Sequence, residues 1–193
     1  MYWTAGMAAV PIAALVIGIL VFTAIHRGPT SAAPADSSRP AWFSALPFNC
    51  LGSAGLASGS APVTAYVDGV RAGTHGAYDS VTIQFANGGP GETTLTTQSS
   101  AEFTQGPNGQ PVTLKGKDGA VVTLHSTDGH THYSGPADIP TTYPVVLELR
   151  KLQDFEGTVQ WAIGLSQLPC YRMAFLSNPT RLVIDFRKGS ATS

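Results

Sequence analysis

Charge is scarce in this chain. Asp, Glu, Lys and Arg make up 12% of its 193 residues, about half the ~25% usual in soluble domains. Eleven basic residues stand against twelve acidic ones, for a formal net charge of −1, and no run of like charge occurs. That excludes the clustered basic face on which nucleic-acid binding depends and a polyacidic tail. Two cysteines are too few for a disulfide-dense scaffold and enough for one bridge. Catalytic signatures are also missing. The string Gly55-Leu56-Ala57-Ser58-Gly59 has the wrong spacing for a nucleophile elbow, and no H-E-x-x-H helix motif occurs.

Apolar sequence is abundant at the start. Ala5 to Ile25 carries no charged side chain, and a helix of ~20 such residues spans roughly the 30 Å of a hydrocarbon core. Tyr2 and Trp3 precede it, at the position interfacial aromatics favour. The run is too long for a signal-peptide core and lacks a basic start. Residues 1–4 therefore read as a short tail and 5–25 as a retained signal anchor. His26 and Arg27 follow the run with no cation before it, a weak positive-inside vote for a cytoplasmic C-terminal portion.

Residues 26–61 are rich in Pro, Ala, Ser and Gly without periodicity, the composition of an extended linker. Trp42, Phe43, Leu46 and Phe48 interrupt it, so the part near Cys50 is expected to fold back. From residue 62 to 188 the apolar period is two. Val81, Ile83 and Phe85 alternate with polar neighbours, as do Val145, Leu147 and Leu149, then Val159, Trp161, Ile163 and Leu165, then Leu182, Ile184 and Phe186. Further strand-like stretches are 64–70, 93–98, 112–114, 121–125 and 171–176. Turn chemistry at Asn87-Gly88-Gly89-Pro90, Pro107-Asn108-Gly109, Asp118-Gly119, Asp128-Gly129 and Asn178-Pro179 separates the strands. Eight or nine short strands with one apolar face each predict an all-β fold, a small β-sandwich, with a tail at 189–193.

Three groups of polar residues stand out. Arg71, His75, Tyr78 and Asp79 crowd a Gly-rich turn, either as loop caps or as ligand contacts. Arg181 and Asp185 share the outward face of the last strand with Arg187. They form either a solvated ion pair or a platform for glycan hydroxyls and peptide carboxylates. His125, His130 and His132 are weak metal candidates beside Asp128-Gly129, where an exposed hairpin tip is the simpler reading. Asp154 and Glu156 would share a strand face, but Gly157 favours a turn. No catalytic residue, metal or cofactor is assigned.

Several segments resemble the AMIN-like domain of actinobacterial envelope proteins, related to the AMIN localisation domain. They are Val70-Arg71 through Tyr78-Asp79 to Phe85, Tyr133-Ser134-Gly135-Pro136, Asp154-Phe155-Glu156-Gly157, Trp161-Ala162-Ile163-Gly164-Leu165, and Phe175 to Phe186 with its Asn-Pro-x-Arg turn. The resemblance implies a non-enzymatic β-sandwich that binds peptidoglycan. A single-pass membrane protein with its domain outside the cytoplasm follows, against the positive-inside vote. One alternative is a module for an envelope protein partner without glycan binding. Another is a small metal-dependent hydrolase using the three histidines. Outside the cytoplasm an even cysteine count favours a Cys50–Cys170 bridge, with two buried thiols as the alternative.

Overall fold

The computed structural model describes residues 39–50, 52–59 and 61–189. The anchor expected over 5–25, the first part of the linker and the last residues lie outside these. Among the described residues no helix is long and apolar enough to cross a membrane. The chain runs α1 (Ala41–Ser44), β1 (Ser53–Leu56), β2 (Ala65–Thr74), β3 (Tyr78–Phe85), β4 (Thr93–Gln98), β5 (Glu102–Gln105) and β6 (Gln110–Thr113). It continues through β7 (Asp118–His125), β8 (Thr127–Asp128), β9 (Asp138–Pro140), β10 (Val146–Phe155), β11 (Thr158–Leu165), β12 (Tyr171–Leu176) and β13 (Arg181–Arg187).

The all-β expectation holds, with 13 strands among the described residues rather than eight or nine. The additional ones are mostly short edge or hairpin strands such as β1, β5, β8 and β9. Their compositions say little, because pairing with a longer neighbour stabilises them more than intrinsic propensity does. A six-stranded sheet has the order β1-β4-β7-β11-β10-β9 and a five-stranded sheet the order β12-β13-β3-β2-β8, while β5 and β6 form a separate hairpin. Pairing is antiparallel except between β2 and β8.

The main core joins side chains of both sheets. Val81, Ile83, Leu182, Ile184 and Phe186 from one meet Leu95, Val122, Leu124, Trp161 and Ile163 from the other. The period-two assignments for β3, β11 and β13 hold. On β10 a register shift between Val146 and Glu148 puts Val145, Val146 and Leu149 in the core and leaves Leu147 half-buried. A bulge adds one residue and so inverts the alternation.

One turn assignment is corrected. Asp118-Gly119 opens β7 instead of making a turn. There Gly119 admits the Phe103 ring, which a Cβ would strike. At the expected Asn178-Pro179 turn, Asn178 has φ 60° with a cis bond to Pro179, and asparagine tolerates this left-handed region better than most residues. Glu156 and Gly157 do form a turn, at φ 49° and 71°, the paired positive values of a type I′ hairpin.

The larger correction concerns the expected linker. Its described part, from Arg39 onward, is built into the fold. Phe43 is buried with Leu176 and Val183 in a small core to which Leu46 and Ala174 add. Leu176, Val183 and Ala174 face outward on β12 and β13, so residues 39–48 form a strap over the outer face of the five-stranded sheet. Asn49 pairs with Tyr171 through two backbone hydrogen bonds of 2.7 and 2.8 Å. Cys50 and Cys170 are disulfide-bonded with Cα atoms 4.2 Å apart, and β1 pairs with β4. A Gly/Ser-rich average composition conceals a few apolar anchors that suffice to hold the segment.

Candidate functional site

The expected platform on β13 is present but covered. Leu182, Ile184 and Phe186 point inward, so Arg181, Val183 and Asp185 point outward. Yet Asp185 is 0% exposed and Arg181 4%, and the strap covers Asp185 through Arg39. Asp185 Oδ1 accepts from Arg39 Nη1 at 2.6 Å and Ser80 Oγ at 2.7 Å. Its Oδ2 accepts from Arg39 Nη1 at 2.7 Å and Arg172 Nε at 3.0 Å. Arg39 Nη2 also donates to Ser80 Oγ, and Arg172 Nη1 to the Ser44 carbonyl, at 2.8 and 2.7 Å.

Aromatic rings enclose both guanidinium groups. Arg172 Cζ lies 4.7 to 5.1 Å from the Phe43, Phe48 and Tyr78 centroids. Arg39 Cζ lies 5.2 and 5.3 Å from Phe43 and Tyr78. Cations over ring faces are attracted most where water is excluded. One carboxylate thus binds two guanidinium groups under an aromatic cover, and the cluster fastens the strap to the sheet.

The other sequence candidates divide by position. Asp79 is 0% exposed. It accepts Thr74 Oγ1 at 2.7 Å and the backbone N–H groups of Val145 and Val146 at 2.6 and 3.1 Å, with Lys188 Nζ at 3.3 Å. It therefore ties β3 to the start of β10 across the sandwich. Tyr78 joins the arginine cluster and His75 stacks on it at 4.7 Å. Arg181 donates to the carbonyls of Ser177 and Pro179 and braces the β12–β13 turn. Arg71 is exposed on β2, opposite Thr82. Tyr78 and Asp185 meet through Arg39 and Arg172, with His75 stacked on Tyr78. Arg172 was legible in principle, because an antiparallel hairpin through Asn178-Pro179 sets it opposite Asp185. Arg39, in Pro/Ser-rich sequence, carries no such signal.

The three histidines do not converge. His125 lies on β7 opposite Thr158, and His132 stacks on Tyr66 at 4.8 Å. His130 Nδ1 sits 3.3 Å from Asp128 and 3.5 Å from Asp154. His130 and His132 lie in a bend after β8, where strand alternation does not apply. Among the described residues the group with metal-ligand spacing is Asp128, His130 and Asp154, with ligand atoms within 4.8 Å of one another. Lys151 Nζ already lies 3.1 Å from Asp154 and supplies a positive charge there.

Asp128 shows an unusual acidity. Burial raises its pKa, but the hydroxyl and N–H of Thr131, the N–H of His130 and the His130 charge together hold it at about 2, against an ordinary 3.8. A carboxyl lowered on folding contributes stability that is complete above its unfolded pKa and lost as pH falls through the folded one. That window runs here from about 4 down to about 2. Thr131→Val is expected to raise the Asp128 midpoint in an NMR-monitored acid titration; an unchanged midpoint would assign the shift to the other groups.

Open grooves border the described residues. One of about 460 Å³ lies between the β5–β6 hairpin and the six-stranded sheet, lined by Gln98, Glu102, Phe103, Thr104, Val121 and Gln160 among others. Another of about 310 Å³ adjoins Asp128, His130 and Asp154. A third of about 390 Å³ is bordered by Ala72, Lys115, Ile139 and Tyr143.

Two facing, mainly antiparallel sheets, the buried carboxylates of Asp79 and Asp185 spent on internal bonds, and open surface grooves define a small β-sandwich module. Its family is the AMIN-like domain: that family's model matches residues 65–188, and the chain belongs to it. No curated protein and no solved structure matches the chain. The matched span contains Tyr78, Cys170, Arg172 and Asp185, while Arg39, Phe43, Phe48 and Cys50 precede it.

Proposed function

We propose that this AMIN-like sandwich is a non-enzymatic module of the cell envelope, outside the cytoplasm, tethered by the apolar segment 5–25 and binding peptidoglycan. The observation that carries this reading is the Cys50–Cys170 bond. Disulfides persist in oxidising compartments and are rare in the cytosol, so the bond outweighs the single arginine behind the apolar run. A binding role fits a fold in which the two fully buried acids, Asp79 and Asp185, are consumed by internal partners, leaving neither poised as a general base.

Two measurements test it. A C-terminal reporter that is active only in the cytoplasm is expected to be silent, and activity would overturn the location. Purified sacculi are expected to retain the full-length chain in a pull-down. A clean flow-through with co-purified envelope proteins would favour the protein-partner role instead.

A further inference from the structure

Hydrogen-bond parity leaves an edge of the five-stranded sheet unpaired among the described residues. In the β2–β3 hairpin the His75 N–H donates to the Tyr78 carbonyl, and the register sets Gly73 opposite Ser80, Arg71 opposite Thr82 and Gly69 opposite Gln84. Antiparallel ladders alternate bonded and non-bonded pairs, so these residues of β2 spend their N–H and C=O groups on β3. The other side of β3 agrees. The Phe85 N–H donates to the Thr180 carbonyl and the Lys188 N–H to that of Ala77, which turns the odd-numbered residues of β3 toward β13. The backbone groups of Val70, Ala72 and Thr74 therefore point away from β3. On that side β8 pairs only with Ala65 and Tyr66, and no described strand pairs with the rest.

An open edge is a template for another strand, and sheets usually guard theirs. At the edge of the facing sheet, β9 contains Pro140, which has no N–H to offer. At the far edge of the five-stranded sheet Asn49 pairs with Tyr171 of β12. Val70-Arg71-Ala72-Gly73-Thr74 has no proline, and the register shift in β2 falls before it, between Val67 and Gly69. Beside this edge lies the groove of about 390 Å³ that Ala72 borders with Ile139, Pro140 and Tyr143. Val70 and Ala72 pack their side chains on the main core. Arg71 faces the opposite side, exposed and without a partner among the described residues.

A strand added here would send alternate side chains to the two faces. Those opposite Val70 and Ala72 would lie over the apolar groove, and those between them beside Arg71. A second copy of the chain fits poorly. Pairing β2 with its own copy about a two-fold axis sets residues of one face opposite each other and so crowds two unpaired Arg71 side chains. An acidic strand gains at the position where that copy loses. We propose that the free edge of β2 binds an extended segment of a partner protein by strand addition, a segment in which apolar residues alternate with acidic ones. Main-chain hydrogen bonds supply the affinity, while the groove and Arg71 select the side chains. The inference goes beyond the function proposed above and stands independently of its ligand.

The probe is a short peptide of alternating valine and glutamate, titrated into the full-length protein beside a valine–lysine counterpart. Saturable binding of the glutamate peptide is expected. Ala72→Pro, which removes an unpaired N–H at a site where edge strands accept proline, should weaken it roughly tenfold with a melting temperature close to the parent's. Amide exchange in the parent protein should slow at Val70, Ala72 and Thr74 and stay unchanged at Arg71, a readout that needs no variant to fold. Arg71→Glu should weaken the glutamate peptide and strengthen the lysine peptide, each by a few-fold. Absence of saturable binding, or protection confined to other residues, would overturn the edge as a site. Equal binding of the two peptides would overturn the acidic preference. A dimer in sedimentation velocity that Ala72→Pro dissociates would assign the edge to a second copy and overturn the partner. Retention on sacculi should be the same for Ala72→Pro and the parent, and a loss there would overturn the independence of the two surfaces.

Discussion

Asp185→Ala is expected to destabilise the domain by about 3–5 kcal/mol, the cost of leaving buried charge without its partner. The side chains of Arg39 and Arg172 are only 5% and 6% exposed, so neither can be resolvated without lifting the strap. The carboxylate is the anion both guanidinium groups share. Typical domains have a total stability of about 5–15 kcal/mol, so the variant should show a large drop in urea midpoint. A loss below about 1 kcal/mol, the range of exposed pairs, would show that the cluster is hydrated and the strap loosely held. Asp185→Asn should fall between the two, because the amide keeps one acceptor and loses the charge.

Removing the disulfide is expected to be comparably costly. Cys50 and Cys170 are 120 positions apart, and in the chain-entropy model closing so long a loop stabilises by about 4–5 kcal/mol. Thermal unfolding of the Cys50→Ser/Cys170→Ser variant against the oxidised parent measures this, and thiol labelling of unreduced, denatured protein should find no free sulfhydryl. Two labelled thiols, or equal melting temperatures, would contradict the bond or its contribution. Asp185 and the disulfide hold the same strap from its two ends, so their losses should not add independently. A triple variant whose loss equals the sum would show that the two fastenings act separately.

The reach of local pattern is clear from β13. Alternation alone assigned Leu182, Ile184 and Phe186 to the core, and all three are fully buried. The Asn-Pro and Glu-Gly pairs marked real turns, and the family resemblance followed from five short segments. The Cys50–Cys170 pairing needed only an even count and an assumed compartment. Those features depend on a few adjacent residues, whose steric and hydrophobic preferences act over one strand or one turn. The metal and glycan alternatives stayed open because each needed side chains from distant segments.

What period two cannot say is what lies against the outward side of a strand. It placed Asp185 on that side correctly, while its burial is decided by Arg39, 146 positions earlier, and by Phe43 and Phe48 in a stretch whose average composition is that of a linker. The same holds for His130, which meets Asp154 across 24 positions and turns away from His132, two positions on. The groove beneath the β5–β6 hairpin is likewise set by how Phe103 docks on Gly119 and Leu152. Side of strand is a property of backbone geometry and is written locally; coverage is a property of packing, decided when segments far apart in the chain compete for the same apolar surface.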